Sequence, residues 1–308
     1  GDPMALAWGT AAGALLQFLL QAVPAMGGLW GEEERRWLPL SDPRLRQVLG
    51  LLWPAILSSS VGQLNVLVGT FFLSRAGTGA LSAWGYANVI YQLPLGTLLA
   101  ALLVPLFPRL TAAAVQGDDD GIRHWLGRGM GVIAGICLPL TAGLVVLAHP
   151  LVSVAFRRGA FDEAAVDRTA LVLVFLALGL AGYAVRDMMV RCFYAFGDSR
   201  TPLRITMVSL LVNVLVNTLL MFGFGFGLMG IAVATTCVTW ANALQVAWAL
   251  RKRLGHLGLG SLAPAIRSGV LNAGLAGTVT WFALGWLRDV PGWPGGFWGQ
   301  FLLLVVGG

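Results

Sequence analysis

The chain has 308 residues, of which 57% are hydrophobic and 11% are charged, whereas a typical soluble domain carries about 25% charged residues. A water-soluble fold is therefore disfavoured. The formal net charge is +6, and every cation except Lys252 is an arginine. The cations form short clusters between long apolar runs. This pattern fits a membrane protein with basic edges better than a nucleic-acid-binding protein.

Eight apolar stretches are long enough to cross a bilayer, for which a helix needs about 20 residues. They cover residues 4–29, 47–73, 83–107, 129–150, 168–194, 203–224, 228–250 and 268–287. A ninth begins near Gly296, and the apolar run 301–306 stops close to the last residue, so we expect a piece of a longer protein. The predicted fold class is all-α, a polytopic membrane bundle whose helices are kinked at Pro54, Pro94, Pro105 and Pro139.

The cations are distributed unevenly between the two sides of such a bundle. The connections that follow odd-numbered stretches hold 13 of them, and the opposite connections hold five. Because cytoplasmic loops carry the excess of Lys and Arg, the first side is predicted to face the cytoplasm. On that side residues 117–120 (GDDD) indicate a turn and an acidic helix start. On the other side residues 156–162 mix aromatic and charged side chains and are expected in the headgroup plane. An ordinary solvated connection is the alternative for both.

One predicted span carries charged residues well inside it, Arg186, Asp187 and Arg191. A charge within a spanning helix costs about 2.5–3.5 kcal/mol on insertion scales, so it usually faces a cavity or a partner. Asp187 and Arg191 are four residues apart and share a helix face, so we expect them to pair. That pairing leaves Arg186 as the cation available to a lumen. In the alternative, Arg191 extends to the cytoplasmic edge and the whole set is structural.

Uncharged polar residues also fall within the predicted spans. Amide and hydroxyl oxygens on neighbouring helices can coordinate a small hard cation or hydrogen-bond a polar substrate, or they can simply join the helices. The candidates for a cation site are Asn213, Asn217, Thr235 and Thr236, and Thr239 is a further hydroxyl on the same span as the two threonines. The candidates for a polar cavity lining, if their helix faces converge, are Gln63, Asn65, Asn88 and Tyr91. Together with Arg186, Asp187 and Arg191 they are the candidate substrate-binding residues.

Residues that carry enzyme chemistry are sparse. Cys137, Cys192 and Cys237 are far apart within apolar runs, so neither a disulfide nor a metal-ligand spacing is predicted. The three histidines are expected to be isolated near helix ends, and the acidic clusters 32–34 and 118–120 to be solvated. The sequence contains neither a Gly-rich phosphate loop with its lysine nor a nucleophile elbow. We therefore predict a transporter, with no metal or organic cofactor, rather than an enzyme.

Five groups of residues, in this order, resemble the motifs of one membrane-protein family. They are 52–57 (LWPAIL) with 63–65 (QLN), Tyr86-Ala87 with 91–96 (YQLPLG), 105–110 (PLFPRL), 150–162 with its RRGAFD ending, and 191–202 (RCFYAFGDSRTP). The last is the most specific, because it matches the motif ARAFYA followed by D[ST][KR]TP. Together they resemble the MurJ/MviN family, lipid II flippases of the MOP (multidrug, oligosaccharidyl-lipid, polysaccharide) exporter superfamily.

The resemblance covers most of the chain and implies a domain organisation. Residues 1–46 would form the last helix of an N-terminal lobe and a cytoplasmic linker, 47–253 a six-helix C-terminal lobe, and 254–308 extra C-terminal helices that are truncated. The first five of fourteen helices would be missing. The resemblance implies a multi-pass protein of the bacterial cytoplasmic membrane, with the same orientation as the charge count.

Two departures from the family pattern concern its cavity. Where the family commonly has Ala-Asp-Arg, this chain has Ala87-Asn88-Val89, so the cavity arginine of that helix is replaced by valine. Asp187 stands where many members have a lysine, with Arg186 adjacent as a substitute.

Sodium is a further implication of the resemblance, because some members bind it between helices seven, eleven and twelve. Asn213, Asn217 and Thr235 or Thr236 stand at matching positions, but the position of the helix-seven carboxylate is Gly69. The expected coupling force is sodium or the membrane potential.

The leading functional hypothesis is a flippase that moves lipid II, an undecaprenyl-pyrophosphate-linked sugar lipid, by alternating access. One alternative is another MOP-type exporter, of a polysaccharide-linked lipid or a cationic drug, for which only Asp187 offers a lumenal carboxylate. A second is a non-transporting scaffold that docks cell-wall synthesis proteins, which loss of the Asp-Arg pair favours. A membrane-embedded glycosyltransferase would need paired carboxylates, and the sequence offers no convincing pair.

Overall fold

The computed structural model describes residues 11–20, 61–258 and 262–288, together with Met4, Trp8, Gly9 and Gly260. Its backbone contacts divide the chain into two units, Gly1–Leu57 and Ser58–Gly308. In the first unit the described residues form one apolar helix, α1 (Ala11–Leu20). The predicted ninth stretch, the acidic cluster 32–34 and Pro54 lie outside the described residues, and the boundaries at 46/47 and 253/254 remain predictions.

The described residues of the second unit form helices joined by short turns. They are α2 (61–75), α3 (Ala80–Val115), α4 (Asp119–Phe156), α5 (Glu163–Ala195), α6 (Arg200–Thr218), α7 (Gly227–Leu254) and α8 (Leu262–Arg288). Helix α6 continues as a five-residue π-helix, Leu219–Gly223. No strand occurs among the residues that the structure describes, which confirms the all-α prediction.

The helices extend beyond the predicted apolar stretches, and α4 shows the reason. It has 38 residues, whereas the apolar stretch predicted there covers only 129–150. Its first turns carry Asp119, Asp120 and Arg123, which are polar residues that continue the helix into the aqueous region. Apolar length measures the thickness of the hydrocarbon layer and not the length of the helix. Asp118 caps this helix by accepting from the Gly121 N–H at 2.8 Å, so the predicted acidic helix start is confirmed.

Among the described residues, four helices are long and apolar enough to cross a membrane. They are Asp119–Phe156, Glu163–Ala195, Arg200–Gly223 and Gly227–Leu254. Many large apolar side chains on their outer faces are exposed, among them Leu211 and Leu215 on α6. Such surface is unfavourable in water and favourable against lipid tails, so the structure is that of a multi-pass membrane protein.

Helix α5 lies at the centre of the bundle and packs against α3, α4 and α7. Small residues allow close approach of neighbouring helices. A Cβ at Gly182 would lie 3.0 Å from the indole of Trp240 on α7, and that indole N–H donates to the Leu178 carbonyl at 3.0 Å. A Cβ at Gly269 on α8 would lie 2.8 Å from the carbonyl oxygen of Ala134 on α4. These approaches hold the walls of the bundle in fixed positions.

The motif 198–202 is a helix start rather than a ligand site. The Asp198 carboxylate accepts from the N–H groups of Arg200 and Thr201, at 3.1 and 3.0 Å, and from the Thr201 hydroxyl at 2.7 Å. Arg253, at the end of α7, lies 3.8 Å from the same carboxylate. Burial raises the pKa of Asp198, but these hydrogen bonds and the Arg253 charge outweigh it, so its pKa is lowered overall.

Candidate substrate cavity

A cavity of about 280 Å³ lies between α2, α5, α6 and α7. Most of its lining side chains are polar, although it is surrounded by apolar helices. It is lined by Gly62, Asn65, Tyr183, Arg186, Thr206, Ser209, Leu210, Asn213, Thr235, Val238, Thr239 and Asn242. Because polar side chains at membrane depth are costly unless they have a use, this cavity is the candidate functional site.

Arg186 is the only ionised side chain that the described lining contributes. Its Nε donates to Asn242 Oδ1 at 3.3 Å, and one terminal nitrogen lies 3.4 Å from the Thr206 hydroxyl. Asn242 in turn donates from Nδ2 to Ser209 Oγ at 2.8 Å, which turns its carbonyl oxygen towards the guanidinium. Neutral oxygens hold the guanidinium in place without cancelling its charge, so the cation remains available to an anion in the cavity.

Asp187 and Arg191 form the ion pair that their spacing predicts. Arg191 Nε lies 3.1 Å from Asp187 Oδ2. Both are candidate cavity residues by sequence, but neither lines this cavity, because both point to a different face of α5. The pair neutralises itself, and Arg186 is left as the cation of the described cavity lining.

Of the four candidates for a cation site, two line the cavity and two do not. Asn213 and Thr235 line the cavity. Asn217 lies one turn beyond Asn213 and is 1% exposed, and its Nδ2 donates to the backbone oxygen and Oδ1 of Asn213 at 2.9 and 2.8 Å. Thr236 donates to the Phe175 carbonyl at 2.6 Å and so joins α7 to α5 instead of facing Asn213.

Of the four candidates for a polar lining, only Asn65 lines this cavity. Gln63 is exposed on α2. Asn88 and Tyr91 belong to α3, which packs mainly against α4 and α5. Tyr91 is buried in the hydrophobic core of that side. Packing around α5 therefore separates the α3 residues from the cavity.

Several lining residues are ones that the sequence analysis did not select. They are Tyr183, Thr206, Ser209 and Asn242. Their spacing carried a signal: residues 206, 209 and 213 on α6, and 235, 239 and 242 on α7, follow the period of one helix face. A polar stripe on each of two consecutive apolar helices predicts that the two stripes face each other.

The expectation that all three histidines are isolated is wrong for His149. Its Nε2 lies 3.2 Å from Glu163 and 3.3 Å from Asp167, and Arg157 lies 2.9 Å from Glu163. The short turn between α4 and α5 brings the end of one helix beside the start of the next. The sequence could not show this because it depends on the path of that turn. All three cysteines are free, as predicted.

Comparison with known proteins identifies the family. A family model for Lipid II flippase MurJ matches residues 2–289. The probable lipid II flippase MurJ of Synechocystis sp. is 35% identical over 276 residues, which cover 90% of this chain and 51% of that protein. The chain spans about half the length of the curated relatives it matches.

Two solved structures share the fold. A lipid II flippase MurJ in an inward closed conformation matches with a TM-score of 0.66 and 19% identity, over 90% of this chain and 55% of that one. A MOP superfamily transporter from Pyrococcus furiosus matches with a TM-score of 0.55 and 18% identity, over 82% of this chain and 57% of that one. The helical architecture is therefore that of MOP transporters, as predicted, and the protein is a multi-pass protein of the inner membrane. With the family model matching nearly the whole chain, the chain belongs to the MurJ family of lipid II flippases.

Proposed function

We propose that the protein moves a lipid-linked sugar precursor of the lipid II class across the membrane by alternating access. Membership of the MurJ family supports this proposal. The observation that carries it is Arg186, a cation that lines a polar cavity within the membrane and has no carboxylate partner among the described residues. A lipid-linked pyrophosphate would supply the negative charge that the cavity lacks.

The cavity suits a phosphate group better than a cation or an apolar drug. The planar guanidinium presents its N–H donors in a fork that matches two oxygens of one phosphate. Asn213, Thr235 and Thr239 add uncharged groups that can hydrogen-bond the remaining oxygens. A volume of about 280 Å³ holds the charged group and not the whole sugar head. The sugar and the polyprenyl tail would therefore lie outside this cavity.

The test is complementation of bacteria depleted of their own lipid II flippase, using the chain with any residues that its gene encodes on either side. We expect Arg186→Ala to abolish growth at unchanged protein abundance, and Arg186→Lys to restore it only in part, because lysine keeps the charge but loses the fork. Arg251→Ala, at the exposed end of α7, is the matched control and should grow normally. Full growth with Arg186→Ala would refute the assignment and would favour a scaffold that docks cell-wall synthesis proteins.

We also propose that sodium binds beside the cavity as the coupling ion. Its support is the Oδ1 atom of Asn217, which is buried and has no hydrogen-bond partner among the described residues. Asn213 and Thr235 add oxygen atoms of the kind that hard cations prefer. Gly69 supplies no carboxylate, so the site would be weak and the membrane potential would remain the alternative driving force.

Sodium binding is measurable without transport. We expect sodium chloride, compared with choline chloride at equal ionic strength, to raise the midpoint of thermal unfolding of the protein in detergent. Asn217→Leu should abolish that difference, and Gln245→Leu, on α7 outside the cavity, should keep it. If the two salts give the same midpoint for the unaltered protein, the sodium proposal is refuted while the flippase proposal stands.

A further inference from the structure

A second and larger cavity, of about 780 Å³, lies at the end of the bundle that is predicted to face outward. It is formed where α3 begins, α4 ends and α5 begins, and it shares no lining residue with the substrate cavity. Its ionised lining residues are Arg158, Arg168 and Asp162. The flippase proposal makes no use of them, so the cavity needs a separate explanation.

The two arginines of this cavity have no carboxylate partner within the described part of the chain. Arg158 donates to the Ala155 carbonyl at 2.7 Å. Arg168 donates from Nε to the Ala164 carbonyl at 3.0 Å and from NH1 to the Thr78 carbonyl at 3.1 Å. Backbone oxygens fix the position of a guanidinium but leave its net charge, and each arginine keeps further N–H donors unused.

Arg157 shows the contrast, because it is adjacent to Arg158 in the sequence. It pairs with Glu163 at 2.9 Å and does not line the cavity. Two consecutive arginines at one helix end thus differ in their surroundings. One is neutralised within the protein, and the other faces the cavity with its charge uncompensated.

Asp162, the one carboxylate in the described lining of this cavity, serves a helix. Its Oδ1 accepts from the Ala165 N–H at 2.9 Å and so caps the start of α5. Two guanidinium groups against this one carboxylate leave the lining with a net positive charge. The start of α3 adds to it, because its N-cap residue, Gly79, has no side chain to satisfy the first N–H groups of that helix.

An independent observation is the hydroxyl of Thr169. The residue is fully buried, it lines the cavity, and its Oγ1 has no hydrogen-bond partner among the described residues. A buried hydroxyl without a partner is destabilising, so native structures rarely keep one unsatisfied. A ligand with acceptor oxygens in the cavity would satisfy it.

The remaining wall is aromatic. The ring of Tyr86 lies 4.6 Å from that of Phe156 and 5.2 Å from that of Phe161, measured between centroids. Aromatic side chains concentrate where a membrane protein meets the headgroup layer. The cavity therefore offers cations and hydroxyls for an anion beside an apolar surface for the carbon chain attached to it.

We propose that this cavity binds the phosphate group of an anionic membrane lipid, with Arg158, Arg168 and Thr169 as its ligands. The phosphate oxygens accept from both guanidinium groups and from the Thr169 hydroxyl, and the glycerol and acyl carbons pack against Tyr86, Phe156 and Phe161. Binding would join the ends of α3, α4 and α5 on the outer face. The site is separate from the substrate cavity and does not depend on what the protein transports.

The experiment is native mass spectrometry of the full chain in detergent, titrated with phosphatidylglycerol or with a phosphate-free galactosyl diacylglycerol. We expect phosphatidylglycerol to be retained and the galactolipid to be lost. Arg158→Gln combined with Arg168→Gln should weaken retention of phosphatidylglycerol at least tenfold. Arg157→Gln, which removes an equal charge next to the cavity, is the matched control and should retain the lipid normally.

Thr169→Val separates lipid binding from structure, since valine has the same shape without the hydroxyl. We expect it to weaken phosphatidylglycerol binding about threefold while the midpoint of thermal unfolding in lipid-free detergent stays the same or rises. Arg158→Gln alone is the second test if the double variant folds poorly, because the recorded side-chain hydrogen bond of Arg158 goes to Ala155, three residues before it in the chain.

Adding inorganic phosphate to the lipid-bound protein distinguishes a lipid phosphate from free phosphate as the ligand. Failure of inorganic phosphate to displace phosphatidylglycerol supports a lipid ligand. If inorganic phosphate displaces phosphatidylglycerol from the unaltered protein, and the arginine variants abolish this effect, the result also supports a phosphate site. It then identifies inorganic phosphate as a ligand. Equal retention of phosphatidylglycerol by the double variant and the Arg157→Gln control, or equal retention of both lipids by the unaltered protein, would overturn the proposal.

Discussion

Arg186 and Arg191 lie on the same helix, α5, and differ in what compensates their charge. Arg191 pairs with Asp187, one turn away on its own helix. Arg186 is held by an amide and a hydroxyl from α7 and α6. A carboxylate both positions and neutralises a guanidinium, whereas neutral oxygens only position it. The comparison shows how one helix can carry a structural cation and a cation that is free to bind an anion.

The largest effect is expected when the structural pair is broken. Asp187→Asn leaves the Arg191 charge without its partner within a membrane helix and should lower the free energy of unfolding by about 2 kcal/mol. The loss is limited because the Arg191 side chain is 36% exposed. Thermal unfolding in detergent measures it, and adding Arg191→Gln should recover part of the loss. Arg186→Gln should cost less, since it breaks no ion pair; an equal cost for the two single variants would contradict the distinction.

A carboxylate beside Arg186 would neutralise it, as Asp187 neutralises Arg191. Asn242→Asp places a carboxylate 3.3 Å from the Arg186 Nε, at the position of the present amide oxygen. We expect the midpoint of thermal unfolding to hold or rise and flippase complementation to fall at least tenfold, because the cavity cation is then neutralised. Gln245→Asp adds the same charge to α7 outside the cavity and should leave complementation unchanged. Normal growth with Asn242→Asp would show that the charge of Arg186 is not used.

The smallest effect concerns Asp198, whose partner Arg253 is half exposed. Asp198→Asn should lower the free energy of unfolding by about 1 kcal/mol at neutral pH, since it weakens the helix start of α6. The pKa of Asp198 is lowered in the folded protein. The contribution of Asp198 to the free energy of unfolding is therefore fully present above the pKa that its carboxyl has in the unfolded chain. It is lost as the pH falls through the pKa that the carboxyl has in the folded protein.

The measurement for Asp198 is the midpoint of thermal unfolding as a function of pH. The difference between Asp198→Asn and the unaltered protein should shrink towards zero in acid. Asp119→Asn is a control, because the exposed Asp119 side chain makes no hydrogen bond or ion pair that the structure records. A difference that stays constant down to strongly acidic pH would exclude the carboxylate as the stabilising group.

Much of the fold was predictable because it depends on local chemistry. The hydrocarbon layer requires long apolar helices, so apolar length located the described helices from α3 to α8. The Asp118 cap and the Asp187–Arg191 pair follow from spacing along one helix, because both partners are set by a single helical turn. The motif around 198–202 pointed to the family, and its physical basis is a helix cap.

The candidate site was predictable only in part, because it depends on which helices are neighbours. Arg186, Asn65, Asn213 and Thr235 were selected from the sequence and do line the cavity. Thr236 and Tyr91 were selected on equal grounds, and packing turns them towards α5 and the hydrophobic core. Asn242 was overlooked, although the polar stripe on α7 contained it. Residue type and spacing identify a polar face but not the helix that it meets.

The sequence by itself determined that this protein lies in a membrane, which helices it forms and which charges are paired within one helix, because these properties arise from contacts a few residues apart and from the solvent. Only the tertiary structure decided that Arg186 meets Asn242 and Thr206, and that Arg158, Arg168 and Thr169 surround one cavity. These groups come from different helices. Whether they come into contact depends on packing between residues that are distant in the chain, and a local sequence pattern does not determine that packing.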